Sequence, residues 1–167
     1  MKFEYEQLST TKGIKVNGPL LIKPKIFKDQ RGFFFESWNQ QNWELILKKY
    51  NQTPQNFLQD NHSKSSKGVL RGLHFQKDPF PQGKLVRCIF GEIYDVAVDI
   101  RENSNTYGEW IGIHLNSSDH YQFWIPEGFA HGFLTISKYA EVNYKTTNYW
   151  SKDHEESLLW NDNDISI

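Results

Sequence analysis

The sequence predicts an all-β protein, a cupin-like jelly-roll β-barrel with one or a few short helices. Three observations carry this. Short strand-like runs dominate and are separated by turn residues. Apolar residues alternate with period two through the second half of the chain. Aromatic residues make up 16% of the chain, with Trp, Tyr and Phe all well represented, and such rings suit sheet faces and flat ligands.

The elements follow in order. Leu20-Leu21-Ile22 reads as an early strand, ended near Pro24, and Gly32 to Glu36 as another. A helix is expected after Ser37 or Asn39, where Trp43, Ile46, Leu47 and Tyr50 repeat at helical spacing behind a polar N-cap. From Gly68 onward nearly everything reads as strand. Lys84 to Phe90 and Ile93 to Ile100 flank Gly91-Glu92, which reads as a hairpin turn. In the second run Tyr94, Val96, Val98 and Ile100 take one face, and Asp95, Asp99 and Arg101 the other. Trp110 to Leu115, Tyr121 to Ile125, Phe133 to Ile136 and Ala140 to Thr147 complete the set. Many short antiparallel strands with few helices fit a jelly roll, with a polar pocket between its sheets. An immunoglobulin-like sandwich is the alternative, but it lacks that fold's paired cysteines.

The length of 167 residues suits one domain, residues 1–167, able to bury a core without disulfides or metal. The net charge of −1 offers no basic excess for generic nucleic-acid binding. The sole cysteine, Cys88, lies in an apolar run and reads as an inert buried thiol. Met1 to Lys12 is polar and lacks a signal-peptide pattern, and no apolar run is long enough for a membrane span. The expected setting is cytoplasmic, with no membrane partner.

Polar residues inside strands are informative because strands alternate faces. In Val69 to Gln76, His74 shares a face with Gly72 and Gln76, whereas Arg71 falls opposite unless a bulge at Gly72 re-aims it. Composition alone reads His74 as a hydrogen-bonded core histidine and Arg71 as exposed. His131 reads as a histidine near a strand end. Tyr144 shares a face with Val142 and gains interest only if its phenol meets the pocket of His74. Lys84 opens a strand and reads as solvated; Arg31 and Glu36 read as a rim ion pair of little value. Gln59-Asp60-Asn61-His62-Ser63 reads as a loop unless something binds there. The chain has no P-loop, no dinucleotide-binding glycine fingerprint, no cysteine pair for zinc and no nucleophile elbow.

Taken together, several segments resemble the dTDP-4-dehydrorhamnose 3,5-epimerase family. They are Asp29 to Glu36, Gln59 to Ser63, Gly68 to Gln76, Gln82 to Arg87, Asp95 to Arg101, Trp124 to Phe133 and Trp160-Asn161-Asp162, in the family's order. The resemblance implies a cupin-like jelly roll, usually a homodimer, acting on a nucleotide-sugar substrate without metal or other cofactor. A ketone at C4 acidifies the C–H bonds at C3 and C5, so deprotonation and reprotonation through an enolate invert either centre. That chemistry suits a histidine base. The resemblance assigns His74 as base, Tyr144 as acid and Lys84 as stabiliser of the enolate oxygen. It places Arg71 near the diphosphate, and Arg31, Glu36, Gln59, Asn61, His131 and Glu155 against nucleotide or sugar. Arg31 and Glu36 would act from the partner subunit if dimerisation completes the site.

The family pattern also includes a Lys-Asp pair past Trp160-Asn161-Asp162, its aspartate orienting the histidine base. These 167 residues hold no counterpart. Either Asp95 or Asp162 substitutes, or the chain is truncated, or its specificity differs. Three alternatives stand beside the two-centre epimerase: a single-centre epimerase on another 4-keto nucleotide sugar, a metal-dependent cupin, and a non-catalytic binding module. The metal reading is weakened by His74-x-Gln76, which replaces a cupin His-x-His pair.

Overall fold

The computed structural model describes residues 3–167. Its strands are β1 (Glu4–Ser9), β2 (Lys15–Lys23), β3 (Phe27–Asp29), β4 (Gly32–Phe34), β5 (Gln59–Ser66), β6 (Leu70–Gln76), β7 (Lys84–Phe90), β8 (Glu92–Asp99), β9 (Trp110–Asn116), β10 (Gln122–Ile125), β11 (Phe129–Thr135), β12 (Tyr139–Thr146) and β13 (Glu155–Ser157). A single α-helix, α1 (Gln40–Lys49), follows β4 among the described residues. A six-stranded sheet in the order β1-β2-β10-β7-β12-β5 faces a five-stranded sheet in the order β13-β6-β11-β8-β9, and β3-β4 form a separate hairpin. The expected jelly-roll sandwich is therefore what the chain forms.

The core lies between the sheets. Val86, Cys88, Phe123, Ile125 and Val142 from one sheet meet Ile93, Ala97, Ile111, Leu115, Phe129 and Phe133 from the other. Period-two alternation puts these side chains on one face of each strand, and their burial drives the packing. Burial also pushes the Cys88 thiol up to about 11, which leaves it protonated and inert.

Helix α1 covers the outer face of the six-stranded sheet. Trp43, Ile46 and Leu47 pack on Leu20, Ile22, Leu85 and Trp124. The Asn39 side chain caps the helix, its Oδ1 accepting the Asn42 N–H at 3.0 Å. Lys48 and Lys49 sit in the last turn, where the helix dipole favours cations.

Four expectations are corrected. Gly91-Glu92 is not a hairpin: β7 pairs with β10 and β12, whereas β8 pairs with β9 and β11, so the chain changes sheets there. Gly91 has φ +77°, and a Cβ on it would lie 2.1 Å from the Tyr139 carbonyl oxygen. A glycine marks the break, but it does not say which sheet each flank joins. Second, Gln59 to Ser63 is not a loop but most of strand β5, held by a full antiparallel ladder to β12. Both its faces are polar, which hid it from a hydrophobicity reading. Third, β11 starts at Phe129 rather than Phe133, so His131 lies within the strand. Fourth, β4 stops at Phe34, leaving Glu36 outside it.

One face assignment gains its meaning from the fold. Val96 and Val98, with Tyr94 and Ile100, lie on the outside of the five-stranded sheet, packed with Leu73, Trp110, Leu158 and Ile165. The inward face of β8 carries Ile93, Asp95, Ala97 and Asp99. Both aspartates are fully buried.

Candidate active site

The sheets part at one end around a cavity of about 690 Å³. Its walls come from both sheets. The six-stranded sheet contributes Gln59, Asn61 and Ser63 from β5, Lys84 from β7 and Tyr144 from β12. The five-stranded sheet contributes Arg71 and His74 from β6, His131 from β11 and Glu155 from β13. Eight of the ten candidate residues thus meet at one cavity: His74, Tyr144, Lys84, Gln59, Asn61, Arg71, His131 and Glu155.

A bulge brings Arg71 and His74 to the same cavity. β11 pairs His131 with His74 but Phe133 with Arg71, so β6 holds an extra residue between them. Gly72 makes this possible: its φ is +117°, and a Cβ would sit 2.5 Å from the Gly132 Cα. The bulge expected at Gly72 is present. Arg71 is then fixed by its Nε, which donates to Ser65 Oγ at 2.8 Å.

Lys84 is not solvated, as a strand-opening lysine would ordinarily be; it is 7% exposed. Its Nζ donates to the His74 carbonyl oxygen at 3.1 Å. Burial lowers its pKa to about 8, against the opposing pull of Asp95 and Glu155. His74 is held below the ordinary histidine value, first by burial; Lys84 and His131 add to this and Glu155 opposes it. Burial raises the Tyr144 phenol, which Arg71 partly offsets. A neutral imidazole and a protonated phenol therefore face one cavity near neutral pH.

Arg31 and Glu36 do not join this cavity. Arg31 lies at the tip of the β3-β4 hairpin, its side chain 85% exposed and paired with Asp29. Glu36 accepts from Asn42 Nδ2 at 3.2 Å, so the expected Arg31–Glu36 rim pair does not form. The neighbours Glu155 and Glu156 separate cleanly: Glu155 lines the cavity, and Glu156 points away to Lys77 at 2.6 Å.

Neither carboxylate considered for orienting His74 does so. Asp95 Oδ1 lies 2.5 Å from His131 Nε2 instead. Asp162 Oδ1 accepts the N–H groups of Asp164 and Ile165 at 2.9 and 3.2 Å, closing a local turn. Gln76, the residue standing where a cupin would hold a second histidine, is spent on the backbone. Its Nε2 donates to Phe80 O at 2.6 Å and its Oε1 accepts from Ser151 N–H at 2.8 Å.

Sequence reading missed Trp150, Gln82, Leu70 and Phe133, which also line the cavity. Trp150 is 55% exposed, and its backbone N–H donates to Gln59 Oε1 at 3.0 Å.

Residues 13–167 match the family described as dTDP-4-dehydrorhamnose 3,5-epimerase. The chain is 59% identical to the protein of that name from Salmonella typhimurium over 149 residues, which span 89% of this chain and 79% of that one. Among solved structures, it is similar to a dTDP-6-deoxy-D-glucose-3,5-epimerase from Legionella pneumophila in complex with dTDP-4-keto-L-rhamnose. The TM-score is 0.88 at 43% identity, covering 98% of this chain and 82% of that one. A dTDP-4-dehydrorhamnose 3,5-epimerase from Elizabethkingia anophelis gives a TM-score of 0.87 at 41% identity, covering 99% of this chain and 85% of that one.

Proposed function

Because this chain belongs to the dTDP-4-dehydrorhamnose 3,5-epimerase family, we propose that it is an isomerase that inverts C3 and C5 of dTDP-4-dehydro-6-deoxy-glucose, giving dTDP-4-dehydro-rhamnose. One observation carries the reading from sequence likeness to chemistry. His74 and Tyr144 reach the same cavity from opposite sheets, with the buried Lys84 beside them.

The steps follow from that placement. Neutral His74 takes the proton from C3 or C5. The electron pair moves into the ring, and negative charge collects on the C4 oxygen. The Lys84 ammonium stabilises that oxygen in a site largely shielded from water, where such a charge acts strongly. Tyr144 delivers its proton to the opposite face of the carbon, and the centre is inverted. Arg71 offers a guanidinium fork to the diphosphate. Gln59 and Asn61 serve the nucleotide, His131 and Glu155 the sugar, and the exposed Trp150 ring offers a stacking surface for the flat base.

We place Arg31 and Glu36 in the cavity of a second copy, as a homodimer. Their position outside their own cavity supports this, as do the exposed Phe33 and Phe34 (58% and 64%) on the same hairpin. A cytoplasmic setting suits the single, unpaired and buried Cys88. No described helix is long and apolar enough to cross a membrane.

The test is NMR detection of deuterium entering the sugar of dTDP-4-dehydro-6-deoxy-glucose in D2O. Label at both C3 and C5 is expected. Label at one carbon alone would make the protein a single-centre epimerase, and tight dTDP binding without any label would make it a binding module.

A further inference from the structure

The inward face of β8 places Asp95 behind the cavity-lining His131. Asp95 is fully buried, yet only one of its oxygens is used. Oδ1 lies 2.5 Å from His131 Nε2, and Oδ2 has no hydrogen-bond partner among the described residues. A buried, half-satisfied carboxylate costs stability unless it holds something in place. The ring it touches lines the cavity, and no described side chain or backbone group bonds the other ring nitrogen, Nδ1. A carboxylate facing Nε2 fixes the proton there. It leaves the Nδ1 lone pair as the group turned to the substrate.

We propose that Asp95 is a positioning residue for His131: it fixes the Nε2–H tautomer, so that His131 presents Nδ1 as an acceptor for a hydroxyl of the bound sugar. The proposal rests on the epimerase reading and deepens it. His74 remains the base, and Asp95 acts on the other histidine. The titratable groups facing this pair include Lys84 from β7, whose charge Asp95 helps to retain, Cys88 from the same strand, whose thiol Asp95 helps to keep protonated, and His74 from β6, paired across the strand with His131. An acceptor at Nδ1 holds the sugar in register while its C3 and C5 protons are exchanged in turn. A donor at that position would leave the hydroxyl proton without its acceptor and change the bond that holds the sugar.

Asp95→Asn tests this. The amide is isosteric, but it can turn an N–H toward Nε2 and drive the proton to Nδ1. In protein carrying 15N-labelled histidine, the His131 signals should show a protonated Nε2 in the wild type and a protonated Nδ1 in the variant. Deuterium exchange into the sugar should fall about 100-fold through kcat, with dTDP affinity retained. His131→Gln should fall by a similar factor, and the double variant should be no slower than either single one. Additive losses, or a wild-type His131 protonated at Nδ1, would overturn the proposal. If Asp95→Asn fails to fold, the wild-type tautomer still decides. Wild-type protein that exchanges no deuterium would defeat the epimerase reading instead, so the two failures are separable.

Discussion

Asp95 and Asp99 lie four residues apart on one face of β8, and both are fully buried, but they have opposite surroundings. Asp99 is saturated. Its oxygens accept from the Arg101 backbone and guanidinium and from the hydroxyls of Ser104 and Thr106, the latter two at 2.6 Å. Burial alone would raise its pKa, yet these bonds outweigh that and hold the carboxyl below its usual value. Arg101 in turn lies over the Phe129 ring, 4.5 Å from its centroid. Among the described residues Asp95 has one partner, the cavity-lining His131, and its other oxygen is unpaired. The same residue type on the same strand face therefore fastens a loop at one position and aims a ring at the other. What separates them is hydrogen-bond saturation and distance from the cavity, neither of which burial reports.

That contrast yields tests of decreasing size. On the cavity side, His74→Asn should reduce deuterium exchange by about 10³-fold with little change in thermal stability, because it removes a proton acceptor from a site, not a brace from the fold. Exchange at the wild-type rate would reassign the base. On the clamp side, Asp99→Ala should cost about 3 kcal/mol in denaturant unfolding, the low end for a broken buried pair because Arg101 remains partly exposed. Exchange per folded molecule should be unchanged. If it collapses in folded Asp99→Ala protein, the division between clamp and site fails.

The pH profile sharpens the cavity side further. In the proposed mechanism His74 works unprotonated, so the exchange rate should rise with pH through a pKa lowered from the ordinary histidine value by burial. The same mechanism needs Lys84 protonated, so the rate should fall again as pH rises through about 8. Lys84→Met should remove the alkaline limb along with most of the rate; a limb that survives would belong to another group. Smallest is Asn39→Ala, which removes the α1 cap far from both aspartates. It should cost about 1 kcal/mol in a thermal melt and leave exchange intact.

The strands with one apolar face were readable in the sequence, because alternation reports burial directly. Lys84 to Phe90 matches β7 residue for residue, and the helix was legible from Trp43, Ile46, Leu47 and the Asn39 cap. Strand β5 was not, since its faces meet a polar cavity and solvent and leave no apolar period. Sheet membership was not legible either, as the Gly91 corner shows. For the site, the ordered family motifs named residues that the fold brings to one cavity. Composition alone would have left Lys84 in solvent. Its burial depends on β6 passing close enough for the His74 carbonyl to receive the ammonium. The pairing of Asp95 with His131 depends on β8 and β11 lying side by side, which strand patterns alone do not reveal.

The cavity walls come from two sheets joined by their shared core. The proposed base, His74, stands on one sheet and the proposed acid, Tyr144, on the other, and Phe123, Phe129 and Phe133 pack in the core between those sheets. Inverting a carbon requires protons to leave and arrive on opposite faces, and the spacing of the sheets decides whether one sugar ring fits between them. In the proposed mechanism, core volume is therefore a kinetic variable. A repacked interior that melts at the same temperature would still show itself in the ratio of proton exchange to completed inversion.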